Sequence, residues 1–259
     1  MVRIDLSDWQ IVLSVAAPVA VALILFALEA RGPLAPALQK PLGLVGPYFT
    51  SVAILFGLVS ALLMSDVWQR DNAAWQSVQA EDDALRALFQ LARTNDLPEL
   101  NPVLKAYAAA AAQESPYSRA APDARQKTDR AYEAIVSTVS HAYGLESATR
   151  IFILSTAAEM RRARDRRLYV ADDETVGIKW LSIIVLGALT QIAIMLVHTG
   201  SRPAVRVSVT LFTVAFTFCL LIVAIFDTPF EVTLADEPGK TFHQTLVEFE
   251  GSPQSPSNP

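Results

Sequence analysis

The sequence is poor in the residues from which metal centres and redox sites are usually built. It contains one cysteine, Cys219, and three histidines, His141, His198 and His243. A single cysteine excludes a disulfide framework and a multi-cysteine metal site, and the apolar run around Cys219 is typical of a small buried hydrophobic residue. The histidines are far apart in sequence and none is paired with a second ligand. We therefore predict no metal site and no cofactor.

Catalytic motifs are also missing. The chain has no GxSxG, P-loop, HExxH, GxGxxG or CxxC pattern. Acidic groups at 81–83 and 227–237 match neither an EF-hand nor another spacing of defined geometry. The net charge of -5 gives no reason to expect nucleic acid as a partner. We expect a protein that is not an enzyme and does not bind nucleic acid.

Long apolar runs, in contrast, are abundant. Hydrophobic residues make up 52% of the 259 positions, which is typical of a membrane protein and too apolar for an ordinary soluble domain. Asp5 and Asp8 argue against a cleaved signal peptide, so we expect the first run to be a retained anchor. Runs long enough to cross a bilayer as helices lie at 11–28, 45–64, 176–197 and 205–226.

These runs predict an all-α membrane protein with four transmembrane helices and a cytoplasmic helical domain inserted between the second and third. The first two spans lie within 11–64 and the last two within 176–226. The predicted remaining parts are a cytoplasmic N-terminus at 1–10, the helical domain at 65–175, and a cytoplasmic C-terminal segment at 227–259 with a disordered end.

Proline and glycine positions divide the inserted domain further. They predict four helices, at about 66–94, 102–114, 122–142 and 145–169. After the fourth span, Phe230, Val232 and Leu234 alternate in the manner of a short strand.

The second apolar run continues into a polar helix. Residues 65–97 contain no proline or glycine, so the helix has no local reason to end at the membrane surface. In a heptad register, Trp68, Trp75 and Asp82 share one seam position and Asp71 lies at the other. The two acids could face an ion path or set the register between subunits. Drift of the helix from a strict heptad would instead leave both solvated.

The inserted domain ends in a basic cluster shortly before the third run. Such a juxtamembrane cluster has three interpretations: a topology determinant, a contact with anionic lipid headgroups, or a ring of positive potential at a pore mouth. The predicted lipid or anion contacts are Arg161, Arg162, Arg164, Arg166 and Arg167.

Two residues interrupt the apolar character of the spans. Pro18 in the first run is tolerable there as a kink. Gln191 is the one strongly polar side chain deep in the third run. It could hydrogen-bond across helices or line a permeation path.

The distribution of basic residues predicts the orientation. Four spans place both termini on the side of the helical domain. Nine lysines and arginines near span ends lie on that side, against four on the other. By the positive-inside rule, the domain and both termini are cytoplasmic.

Four features of the chain are shared with a known family: FGLVSALLMSDVWQRDNAAWQSVQAEDDAL at 56–85, RLYVADDETVGIKW at 167–180, His198, and DTPFEVTL at 227–234. In these features the chain resembles the bestrophin-like family of small bacterial membrane proteins of unknown function. With the intervening spans the resemblance covers most of 43–246. That family is distantly similar to the bestrophins, which are pentameric ion channels. The resemblance implies a homo-oligomer, expected to be a pentamer, in the bacterial inner membrane.

The resemblance also implies which residues line a pore. In bestrophins, the second span carries a hydrophobic neck of three side chains spaced four apart. Placing Gly57 and Trp68 on the family's glycine and exit tryptophan gives Thr50, Ile54 and Leu58 as pore-lining residues. This chain departs from the pattern, because Thr50 is polar and no phenylalanine occupies the stripe; packing between spans is the alternative. Gly57 indicates close helix approach.

Two functions follow. The first is an oligomeric ion channel whose second span lines the axis, with Trp68, Asp71, Trp75 and Asp82 in a vestibule or intersubunit seam. The second is a non-conducting membrane scaffold or sensor that docks a cytosolic partner or lipid through its helical domain. The expected partners are membrane lipids, further copies of the chain and permeant ions.

Overall fold

A computed structural model describes residues 9–31, 45–114, 122–172, 177–198 and 201–251. Within these residues the chain forms eight helices and no strand. The all-helical fold predicted from the sequence is confirmed. In chain order the helices are α1 (Trp9–Arg31), α2 (Val45–Thr94), α3 (Leu100–Ala112), α4 (Pro122–His141), α5 (Ser147–Asp172), α6 (Gly177–Val197), α7 (Arg202–Asp227) and α8 (Glu237–Gly251).

Four of these helices, α1, α2, α6 and α7, are long and apolar enough to cross a membrane. Their positions coincide with the four apolar runs, so the four predicted apolar helices are confirmed as candidate spans. Helix α2 has 50 residues and would be about 75 Å long at 1.5 Å per residue. Since a bilayer core is only about 30 Å thick, lipid can enclose the apolar half of α2 but not its polar half. The cytoplasmic placement of the inserted domain stays a prediction.

The chain divides into two compact units, to both of which α2 contributes. We call one the span unit; it comprises the described residues of Ile4–Gln69 and Glu174–Asp227. We call the other the polar unit; its described residues belong to Arg70–Asp173 and Thr228–Pro259. The segment after the fourth span is therefore part of the same unit as the inserted helices.

Aromatic and branched side chains form the core of the span unit. Trp180 of α6 and Phe216, Leu220 and Val223 of α7 are each 2% exposed or less. Phe56 of α2 meets Phe216 edge to face, with ring centroids 5.3 Å apart. This arrangement is the favourable one for two aromatic rings, and it fixes which side of α2 faces α7.

Buried polar groups join α1 to the other spans. The Nε2 atom of Gln191 in α6 donates to Oγ1 of Thr213 in α7 at 2.7 Å and to the carbonyl of Pro18 in α1 at 3.2 Å. The Nε2 atom of Gln10 donates to Oδ2 of Asp227 at 2.9 Å. A polar side chain in an apolar environment requires such partners. Of the two interpretations of Gln191, the structure therefore shows the hydrogen bond across helices.

The polar unit has one main apolar core. Five helices contribute to it, because each turns one apolar stripe inward. Its most deeply buried side chains are Leu85, Leu88 and Phe89 of α2, Leu100, Leu104 and Tyr107 of α3, Ile135 and Val139 of α4, Ile153 and Met160 of α5, and Phe242 of α8.

The predicted strand after the fourth span is wrong. The N–H of Val232 donates to the carbonyl of Thr228 at 3.2 Å, and the N–H of Leu234 to that of Pro229 at 2.6 Å, which closes successive turns. Phe230, Val232 and Leu234 are all buried. Three apolar residues at alternate positions are too short a pattern to separate a strand from turns that bury the same side chains.

Helix α8 was not predicted, although its sequence carries a signal. Phe242, Thr245 and Phe249 recur at steps of three and four, and Pro238 lies in the first turn, where proline is tolerated. Phe249 stacks on Phe89 of α2 with ring centroids 4.2 Å apart. The predicted disordered end, residues 252–259, lies outside the described residues.

Two glycines provide a matched test of the span-unit packing. A Cβ atom at Gly187 would overlap the ring of buried Phe216, whereas one at Gly57 would meet nothing within 4 Å. We expect Gly187→Ala to lower the free energy of unfolding by about 1–3 kcal/mol, since overpacking forces the ring to move. Gly57→Ala should change it by less than about 0.5 kcal/mol. Thermal unfolding in detergent measures both, and equal melting temperatures would contradict this packing.

Candidate functional site

One face of the apolar half of α2 is left uncovered by the other described residues. Ile54, Leu58 and Leu62 are 63%, 55% and 63% exposed. On the opposite side, Leu63 and Val67 are 4% and 0% exposed and belong to the core of the span unit. Helix α2 therefore has a covered face and an open face.

The predicted pore-lining residues lie on the open face. Thr50, Ile54 and Leu58 are all exposed, and their spacing of four keeps them on one side of the helix. In the most apolar 18-residue window of each span, only 11% of the residues of α2 are buried, against 28%, 39% and 33% for α1, α6 and α7. The structure thus brings these three residues together, and pore lining itself stays a prediction.

Gly57 lies beside that line, and among the described residues its Cβ position meets no other helix. A Cβ atom added there would have no heavy atom within 4 Å. The glycine at a close helix crossing is Gly187 of α6, where Phe216 occupies the space of a side chain. Sequence reasoning missed Gly187, because glycine marks close approach without naming the partner. Close packing at Gly57 stays a prediction for contacts outside the chain.

The two predicted seam tryptophans are partly exposed. Trp68 is 57% exposed and stacks on Phe226 of α7, with ring centroids 5.7 Å apart. Trp75 is 42% exposed. A role for either in a vestibule or seam stays a prediction.

The two seam acids have partners inside the polar unit. Thr233 donates its hydroxyl to Oδ1 of Asp71 at 2.5 Å. Asp82 is 4% exposed, accepts a hydrogen bond from Thr245, and pairs with Nε of Arg86 at 2.7 Å. The expectation that helix drift leaves both acids solvated is wrong for Asp82, which is buried. The two threonine partners lie in the segment after the fourth span, so the heptad pattern could not reveal them, whereas Arg86 is only four residues from Asp82.

The basic cluster on α5 separates into inward and outward side chains. Arg164 and Arg167 are 1% and 0% exposed. Arg162 and Arg166 are exposed, and Arg161 is partly exposed and pairs with Asp129 and Asp165. Helix periodicity produces this division, because residues three apart share a face. Contacts with lipid or anions stay a prediction for the outward arginines, whereas Arg164 and Arg167 have an internal role that was not predicted.

The inward arginines join four helices through what we call the buried charge network. Arg167 Nε lies 2.7 Å from Oε2 of Glu81, and its Nη2 lies 2.8 Å from Oε2 of Glu114. Arg164 Nη2 lies 2.7 Å from the other oxygen of Glu114. The network comprises Glu81 of α2, Tyr107 of α3, Glu114, Asp129 of α4, and Arg164 and Arg167 of α5.

Charge pairing decides the protonation of the network. Burial raises the pKa of Glu114, but Arg167 and Arg164 lower it by more, so that it lies below its ordinary value. Burial and the carboxylate of Glu81 raise the pKa of Tyr107 well above its ordinary value, so its hydroxyl donates to Glu81 at 2.8 Å. Burial lowers the pKa of Arg164, but Glu114 raises it by more. Glu114 is therefore held as a carboxylate between the two arginines.

Two features stand out in the structure: the open apolar face of α2 and the buried charge network of the polar unit. Among the described residues, no group of three or more His, Cys, Asp or Glu side chains is placed to hold a metal ion. The members of the buried charge network pair with one another and with neighbouring groups such as the carbonyl of Arg125. Breaking such a pair in a protein interior is strongly destabilising. The fold and these features define an all-helical membrane protein whose open surface is the apolar face of α2.

Comparison with known families identifies the class further. The family model of the bestrophin-like domain matches residues 16–233, so the chain belongs to the bestrophin-like family. No curated protein matches the chain.

Solved structures share the fold. A crystal structure of a bacterial bestrophin homologue from Klebsiella pneumoniae matches with a TM-score of 0.67 at 14% identity, covering 95% of this chain and 98% of that one. A variant of that homologue gives 0.65 at 14% identity, covering 94% and 98%. A variant of a protein described as a membrane protein gives 0.70 at 14% identity, covering 94% and 100%. At this identity the likeness concerns the fold.

The two sets of arginines on α5 allow a matched substitution. We expect Arg167→Met to lower the free energy of unfolding by about 3–5 kcal/mol, because it leaves the buried Glu81 and Glu114 short of a cation. The same change at exposed Arg162 should cost less than about 0.5 kcal/mol. Chemical or thermal unfolding in detergent provides the measurement. Similar losses for both variants would show that the network contributes nothing specific.

The network should also make the protein sensitive to acid. Because the pKa of Glu114 is lower in the folded protein than its ordinary value of 4.5, the unfolded chain binds the proton more readily. The stabilisation is therefore complete above that value and is lost as the pH falls through the lower, folded pKa. We expect Glu114→Gln to be less stable than wild type at pH 7 and to lose less on acidification. Melting temperatures from pH 7 to pH 3, with exposed Glu159→Gln as control, test this; parallel curves for wild type and Glu114→Gln would disprove it.

Proposed function

We propose that the protein is the subunit of a homo-oligomeric ion channel of the bacterial inner membrane, with the second span lining the pore. Five subunits surround the axis, as the resemblance to bestrophins implies. Membrane lipids and permeant ions are the other partners, and the protein has a transport role with no enzymatic one.

The observation that carries this proposal is the open face of α2. In its most apolar 18-residue window, α2 has only 11% of its residues buried, whereas the other three spans have 28–39% buried. Helix α2 is therefore the span least covered by its own subunit. Further copies of the chain, arranged about an axis, would place Thr50, Ile54 and Leu58 around a shared opening. Family membership supports the same assignment.

The chemistry of that face fits a hydrophobic gate. Rings of Ile54 and Leu58 side chains would make a constriction from which water withdraws, and such dewetting stops ions without a moving plug. Thr50, at one end of the line, supplies a hydroxyl that keeps that end wetted. The departure from an aromatic neck leaves aliphatic side chains to form the barrier.

The proposed orientation places the polar unit in the cytoplasm. The excess of basic residues near span ends on that side supports it, through the positive-inside rule. Both termini then lie in the cytoplasm, and α2 leaves the membrane on that side.

A scaffold or sensor is the second candidate. The polar unit exposes Ile151 and Phe152 by 68% and 58% on α5, the helix that also carries exposed Arg162 and Arg166. A helix that exposes an apolar pair near one end and cations further along is suited to a cytosolic partner or a lipid surface. This function requires no continuous opening through an oligomer.

Ion flux from liposomes, with the oligomeric mass measured in the same detergent, tests the proposal. We expect a ring-sized oligomer that conducts, and Leu58→Ala should raise conductance. Lowering a dewetting barrier by about 1 kcal/mol raises a rate about fivefold. Leu211→Ala is the control, because Leu211 is 67% exposed on α7 rather than on α2.

The same experiment separates the two candidates. A monomer or dimer without flux above empty liposomes would overturn the channel and favour the scaffold. Flux that Leu58→Ala leaves unchanged in an intact oligomer would overturn the pore assignment alone.

A further inference from the structure

Helix α5 of the polar unit has one side that the other described residues leave exposed. Exposed residues recur on it at steps of three and four, from residue 152 to residue 169, and therefore lie in one line along the helix. We call this line the outer stripe of α5; it comprises Phe152, Ser155, Glu159, Arg162, Arg166 and Tyr169. The stripe is about 26 Å long at 1.5 Å per residue, and its spacing is that of the contact positions in a pair of coiled helices.

The outer stripe is aromatic at both ends. Phe152 and Tyr169 are 58% and 70% exposed, and Ile151 beside Phe152 is 68% exposed. Aromatic side chains are enriched at interfaces between proteins, because covering them removes a large apolar area from water. The two ends of the stripe therefore suit a surface that a partner covers.

The middle of the stripe carries charges that the described part of the chain does not pair. Glu159, Arg162 and Arg166 are exposed, and none of their side chains forms a hydrogen bond or ion pair with another described residue. Arg161, which lies beside the stripe, pairs instead with Asp165 at 3.1 Å. The stripe thus offers one carboxylate and two guanidinium groups to a molecule outside the chain.

The outer stripe is complementary to a second copy of itself that runs in the opposite direction. With a two-fold axis between residues 160 and 161, three contacts form, each of them twice: Phe152 opposite Tyr169, Glu159 opposite Arg162, and Ser155 opposite Arg166. The first contact joins two aromatic rings, the second joins opposite charges, and in the third a guanidinium donates to a hydroxyl. Each side chain of the stripe then faces one that it binds.

Other registers of two such helices are unfavourable. A parallel pair would set each residue against its own copy, and thus Glu159 against Glu159 and Arg162 against Arg162. An antiparallel pair shifted by one heptad would set Arg162 against Arg166 in one direction, and in the other would move Tyr169 beyond the start of the facing helix. Like charges directly opposite each other repel. The chemistry of the stripe therefore selects the unshifted antiparallel register.

We propose that the outer stripe of α5 is a self-association surface, at which the polar units of two copies of the chain pair antiparallel. A closed five-membered ring is held by head-to-tail contacts, so a two-fold contact joins subunits of two different rings. One pair of helices falls in the class of weak interfaces, below about 1,200 Å² in total, so the association is reversible. This inference goes beyond the channel proposal and does not require conduction.

A membrane surface is the other partner that exposed arginines suit. The outer stripe fits it less well, because Glu159 lies within the stripe and exposed Asp165 and Asp172 lie along its edge. Anionic headgroups repel these carboxylates, whereas a second copy of the stripe pairs Glu159 with an arginine.

Charge reversal tests the register on the full-length protein in detergent. We expect the wild type to double its mass reversibly as its concentration rises. Glu159→Arg and Arg162→Glu should each weaken this association about tenfold, because each sets like charges opposite one another at two symmetric places. The double variant Glu159→Arg/Arg162→Glu restores both pairs across the axis and should associate as the wild type does. Sedimentation velocity over a range of concentrations gives the dissociation constant.

A control and an uncharged pair of variants complete the test. Exposed Glu250→Arg on α8 makes the same charge change outside α5 and should leave the association unchanged. Phe152→Ala and Tyr169→Ala remove the two sides of one contact, so each should weaken the association by the same factor. These two variants also decide the matter if a charge reversal prevents folding.

The outcomes separate this inference from the channel. A wild type of constant mass, or a double variant that associates no better than the single ones, would overturn the antiparallel pairing. Single reversals that leave the association unchanged while Arg162→Glu binds phosphatidylglycerol vesicles more weakly would show a lipid contact instead. A doubling that starts from one chain, without flux from liposomes, would overturn the ring and the channel and leave the pairing standing.

Discussion

A backbone surrounded by lipid must satisfy its own hydrogen bonds, and α2 meets this constraint along its whole length. The rest of the structure depends on that helix. Its apolar half packs one side, with Leu63 and Val67, into the span unit and leaves the other side open. Its polar half is fixed by charge, since Glu81 pairs with Arg167 and Asp82 with Arg86. The contacts on one side of α2 leave the opposite side of its apolar half exposed, and the proposed pore-lining residues lie on that exposed side.

Much of this fold could be predicted from the sequence, because it is written in local patterns. Apolar length gave the four spans, and the missing proline and glycine at 65–97 gave the continuous α2. The limits were local as well. Phe230, Val232 and Leu234 alternate over too few residues to distinguish a strand from turns, and the stripe of α8 lies among polar residues that weaken its period. Both misses fall where tertiary burial, rather than propensity, decides the conformation.

The candidate site was predictable only in part, for a different reason. Spacing alone places Thr50, Ile54 and Leu58 on one side of a helix, and the structure leaves that side uncovered. Spacing alone does not predict whether a charged side chain points into the core or toward solvent. Whether an acid or an arginine turns inward depends on a partner elsewhere, such as Glu114 for Arg164, which lies 50 positions away. Sequence patterns identify the charged residues, but only the packing of distant segments separates compensated charges from free ones.

The composition of the polar unit has a consequence for how the protein is made. Its core needs Phe242 of α8, which follows α6 and α7 in the chain, whereas its other helices precede them. Synthesis proceeds from the N-terminus, and the unit cannot close until its last segment leaves the ribosome. The third and fourth spans are therefore synthesised while α2 to α5 still lack α8. During that interval Phe89, the later partner of Phe249, has no aromatic ring to cover it, so biogenesis passes through an exposed apolar surface that the finished protein conceals.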